Sequence, residues 1–80
     1  MARRRIHMTF PEGLITEPVI HTMGKRFAIV TNIRRANVEA TAGWVVLEIE
    51  GPEDEIDAAV AYAADLGVEV SEVSGDVLDG

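Results

Sequence analysis

Apolar and polar residues alternate with period two from Arg5 to Phe10. Ile6, Met8 and Phe10 share one side; Arg5, His7 and Thr9 share the other. Period two predicts a strand with one buried face. Pro11-Glu12-Gly13 ends it, because proline has no N–H for a ladder and glycine frees the backbone. Thr16 is the N-cap candidate of a short helix, with Glu17 and Pro18 in its first turn; Val19, Ile20, Met23 and Phe27 form the apolar stripe. Ala28 to about Val38 reads as a long strand with broken parity. Ile29, Thr31 and Ile33 fall on one face, Val30 and Val38 on the other, which predicts a bulge near Arg34–Asn37.

Thr41-Ala42-Gly43 predicts a turn into the clearest strand, Trp44 to Glu50. Val45, Leu47 and Ile49 point to the core, and Trp44, Val46, Glu48 and Glu50 point away. Gly51-Pro52 followed by Glu53-Asp54-Glu55 is a strong helix start, since carboxylates suit the positive end of the helix dipole. Ile56, Ala59, Val60, Ala63 and Leu66 form its stripe, and Gly67 is the expected left-handed stop. Val68 to Val73 is the last strand. The order strand–helix–strand–strand–helix–strand, with two right-handed crossovers, predicts an α+β ferredoxin-like sandwich. Its antiparallel four-stranded sheet has order 4-1-3-2, with both helices on one face.

Eighty residues, 48% apolar and 26% charged, make one globular domain, with its core over about 5–73 and an acidic tail over 74–80. So small a core makes self-association a natural expectation. The net charge of −7 argues against nucleic acid as a partner. It is also lopsided: residues 1–40 hold all seven basic residues and three acidic ones, and residues 41–80 hold eleven acidic residues and no basic one. Folding is expected to pair the two halves, Arg34 and Arg35 with Glu48 and Glu50 among them. Arg3-Arg4-Arg5 is not followed by the apolar run of a signal peptide, and nothing approaches the roughly 18 apolar residues of a membrane span. The expectation is a cytoplasmic chain without membrane insertion.

The absence of cysteine excludes disulfides, thiol catalysis and iron–sulfur ligation. His7 and His21, the two histidines, lack carboxylates at ligand spacing, so no metal and no cofactor is expected. Ser71 and Ser74 have no His–Asp partners and there is no glycine-rich phosphate loop, so no enzyme is expected either. Trp44 and Val46, off the core parity, are candidates for an interface. Asn32 is the oddity of the second strand: an amide among β-branched and apolar residues needs a hydrogen-bonding reason. That reason is either a structural bond at the bend or a grip on a ligand.

Five segments in order resemble a known family. They are Glu17-Pro18-Val19; Phe27-x-Ile29-x-x-Asn32-Ile33; Asn37-Val38-Glu39; Gly43-x-Val45-x-Leu47-x-Ile49-x-Gly51; and Gly67-Val68-Glu69-Val70. Together they are similar to the NIL domain, the C-terminal regulatory domain of the ATP-binding subunit of bacterial methionine importers. Other members of the family are fused to iron–sulfur ferredoxin modules. The resemblance implies an ACT-like homodimer that binds methionine or a similar amino acid. It places Asn32 and Ile33 at the ligand site; beside them Arg34 and Arg35 supply positive potential for a carboxylate, and the apolar neighbours Ile29, Ile33 and Val38 are expected to line the side-chain end. These 80 residues contain neither a nucleotide-binding segment nor a cysteine, so what carries over is a binding module. The alternative is a module that docks on a transporter or sulfur-metabolism protein without a small ligand.

Overall fold

The computed structural model describes residues 2–11, 13, 18–39 and 42–73. The elements run β1 (Ala2–Phe10), α1 (Val19–Arg26), β2 (Val30–Val38), β3 (Gly43–Gly51), α2 (Glu53–Leu66) and β4 (Glu69–Glu72). The sheet order is β2-β3-β1-β4, antiparallel throughout, which is the expected 4-1-3-2 read from the other edge. The Thr16 cap, the Thr41 turn residue and the tail over 74–80 lie outside the described residues.

The core is the contact between one sheet face and the two helices. Ile6, Met8, Val45, Leu47 and Ile49 from the central strands meet Val19 and Met23 of α1 and Ile56, Ala59 and Ala63 of α2. The alternation of β3 is complete, with every second residue buried. Leu66, read as extending the α2 stripe, is 43% exposed: the stripe drifts off the sheet in the last turn. Gly67 closes that helix in the left-handed conformation (φ 108°, ψ 5°), its N–H donating to the carbonyls of Ala63 and Ala64. α1 is shorter than its stripe implied, because Phe27 is already extended (φ −119°, ψ 155°). Phe27 packs on Tyr62 of α2 with ring centroids 5.7 Å apart, under the Arg26 guanidinium.

β1 starts earlier than its alternation suggested, and Arg3 and Arg4 are strand residues. Arg4 points to the helix side. Its Nη1 donates to Asp57 of α2 at 2.8 Å and lies 3.6 Å from Glu53, while Nε, buried and out of hydrogen-bonding line, is 3.2 Å from Glu72 of β4. One guanidinium therefore ties α2 and β4 to β1. The Glu55 carboxylate accepts a 2.8 Å bond from the Ala28 N–H, fixing the lead into β2 against the start of α2.

Candidate functional site

β2 is one of the two outer strands, β4 being the other, and is exposed along nearly its whole length. Val30 (66%), Ile33 (53%) and Val38 (63%) are large apolar side chains left open. Its pairing with β3 slips between Ile33, opposite Leu47, and Arg35, opposite Val46, so Arg34 is the extra residue of a bulge. The bulge falls in the expected segment, and it resets the parity. Thr31, Ile33, Ala36 and Val38 all align with the inward residues Ile49, Leu47, Val45 and Gly43. Val38 thus joins the face of Ile33, although parity counted along the sequence put it on the opposite one.

Among the described residues, that end of the helix side is not filled. Ala36 and Gly43 are the residues there, and where side chains are small or absent a cleft of 270 Å³ opens between β2 and the start of α1. It is lined by Phe10, Pro18, Val19, Ile20, His21, Ile33, Ala36, Val38, Gly43 and Val45. Two of the expected site residues, Ile33 and Val38, are in it. Ile29 is not: it is 8% exposed and belongs to the core, because it precedes β2 where the chain is pinned beneath α2 by the Glu55 bond.

Asn32 lies on the other side of the sheet, opposite Glu48, in a polar hollow of 480 Å³ formed with Arg3, Val30, Thr31, Glu48 and Glu50. The sheet itself separates it from the apolar cleft. Here the lopsided charge is spent. Arg3 donates to Glu50 at 3.1 Å and lies 3.9 Å from Glu48; Arg5 and Arg34 lie 3.8 and 3.7 Å from the same half-buried Glu48. The hydrogen bond to Glu50, then the charges of Glu50 and Glu48, hold the Arg3 guanidinium above its ordinary pKa. Arg34 therefore faces a carboxylate of its own chain, as the sequence charge pattern foresaw. Glu50, expected opposite the same arginines, is taken by Arg3, which sequence reading did not single out.

Trp44 and Val46 stand half-buried on the open face of the sheet, across from the helices. The Trp44 indole stacks on the His7 imidazole of the next strand, with centroids 5.4 Å apart and planes 19° from parallel. His7 is opposite Ser71 on its other side. His21 is on α1, at the rim of the apolar cleft. Among the described residues no group of three or more His, Asp or Glu is placed to hold a metal ion, and no helix is long and apolar enough to cross a membrane.

The chain's relatives agree with this architecture. It is 26% identical, over 76 residues, to the methionine import ATP-binding protein MetN of Halalkalibacterium halodurans; the match takes in 90% of this chain but 22% of that protein. Its fold superimposes on the crystal structure of the C-terminal domain of an ABC transporter ATP-binding protein from Enterococcus faecalis with a TM-score of 0.78. The two are 19% identical, and the match covers 91% of this chain and 86% of that one. The family model of the NIL domain matches residues 4–72, from the Arg4 clasp to the end of β4, and the chain belongs to the NIL domain family.

Proposed function

We propose that this domain is a cytoplasmic, non-catalytic regulatory module of methionine import, and that it senses methionine or an amino acid of the same shape. The observation that carries this reading is the apolar cleft beside β2. Its 270 Å³ falls just short of drug-sized small-molecule sites, which run from about 300 Å³, and so suits a ligand as small as an amino acid. It is walled mainly by aliphatic and aromatic side chains, with His21 the one polar side chain of its described lining. A flexible thioether is the kind of group such a wall accepts. A relative named for methionine import supports the choice of ligand. The domain acts as a homodimer in this reading, formed along the β2 edge, where exposed Val30, Ile33 and Val38 lie beside unpaired strand backbone.

Calorimetric titration with a panel of amino acids tests it. Saturable binding of methionine, with leucine weaker and aspartate and lysine absent, is the expected result. Binding of none would favour the second reading, a docking module that takes no small ligand. The half-buried Trp44–His7 stack and Val46 on the open face would then be its contact surface.

A further inference from the structure

The geometry points to His21 as the residue that selects a carboxylate-bearing ligand for the apolar cleft, a deepening that rests on the proposed sensing function. Of the ten described residues that line the cleft, His21 is the one with a side chain able to carry charge or donate a side-chain hydrogen bond. Any amino acid seated with its side chain on Ile33, Ala36 and Val38 must leave its head group at the rim, and the imidazole stands on that rim.

The surrounding charge agrees. α1 contains no acidic residue, and its last turn carries Lys25, four positions beyond His21 and so on the same face, and Arg26. Among the described residues that line the cleft, none is a carboxylate. This is unusual in a chain of net charge −7, in which α2 opens with Glu53, Asp54 and Glu55 and the hollow around Asn32 holds Glu48 and Glu50 against Arg3. An anion is repelled by α2 and meets two carboxylates in the hollow; among the described residues that line the cleft it meets a histidine and no carboxylate. The carboxylate, rather than the ammonium, is therefore the part of the head group that the cleft reads. Ligands without it lose the polar contact and keep only the apolar one.

The test uses the whole chain, titrated calorimetrically with L-methionine, L-methioninamide and 3-(methylthio)propionate. The amide lacks the carboxylate and the propionate lacks the ammonium. The unaltered protein is expected to bind methionine and the propionate within a few-fold of each other, and the amide roughly tenfold more weakly, the scale of a lost bond to a charged group. In His21→Leu the methionine affinity falls by about the same factor while the amide affinity stays where it was. His21→Lys, which restores a cation, keeps the preference for carboxylate. A thermal melt checks that each variant is folded, as expected for an exposed helix position. If His21→Leu binds methionine as the parent does, or the amide binds as tightly as methionine, the assignment of His21 is wrong and the sensing function stands. If none of the three ligands binds the parent, both are overturned.

Discussion

Gly51 and Gly24 make opposite demands on a methyl group, and the contrast tests the packing of the whole β3–α2 corner. A Cβ on Gly51 would come 2.7 Å from the Ala28 carbonyl oxygen and 3.3 Å from both Cα and Cγ2 of Ile29. Two of the three atoms are backbone, so no rotamer change relieves them. The chain at Ala28 is itself held, since its N–H donates to Glu55 at 2.8 Å. The methyl must therefore either spring that bond or push Ile29 out of the core. Overpacking of this kind costs about 1–3 kcal/mol, and a domain of this size loses roughly 4–8 °C of Tm per kcal/mol. Gly51→Ala is expected to melt about 8–16 °C below the parent, for a cost of about 2 kcal/mol. Gly24 lies inside α1 with nothing within 4 Å of its would-be Cβ. Gly24→Ala is expected to gain roughly 0.5–1 kcal/mol through helix propensity. Circular dichroism melts of the two variants read both signs. A Gly51→Ala protein as stable as Gly24→Ala would refute the corner as described.

Arg4→Gln should cost roughly 1 kcal/mol, modest because its carboxylate partners are largely exposed. Amide exchange should quicken first in β4, whose 2.9 Å bond from the Val73 N–H to the Arg5 carbonyl lies beside the clasp. Asn32→Ala should change methionine affinity by less than about twofold, because the sheet stands between Asn32 and the cleft; a loss of roughly 1–3 kcal/mol would instead put the ligand in the hollow with Arg3. Light scattering at micromolar concentration should report a two-chain species, and Ile33→Lys, which places a cation on the exposed β2 edge, should reduce it to one chain. A parent that stays monomeric at every concentration would remove the dimer.

Most of the fold was legible because its signals were local. The strict alternation of β3, the acidic start of α2 and the left-handed Gly67 each fix one element independently of the rest. The element order then leaves a single reasonable topology. The bulge was legible too, from the parity conflict between Ile33 and Val38. Its consequence was harder to read: one extra residue at Arg34 turns Val38 toward Ile33 and brings Ala36 and Gly43 together, and only the pairing with β3 shows which residue is the extra one. The candidate site was legible in part. The pairing with β3 sets Asn32 opposite the outward Glu48 and Ile33 opposite the inward Leu47, so the two line different hollows. Ile29 looked available until the Glu55 bond placed it in the core. Phe10, Val19 and His21 come to the cleft from other elements, and no spacing in the sequence announces that meeting.

Chemical-shift mapping on the isotope-labelled chain, titrated with L-methionine, shows directly whether the ligand enters the apolar cleft. Saturable shifts are expected at the methyls of Ile33, Ala36, Val38 and Val45, at the Gly43 amide and at the His21 ring, with Asn32, Glu48 and Glu50 unmoved. Saturable shifts centred on Asn32 and Arg3, or no shifts at all, would contradict that placement.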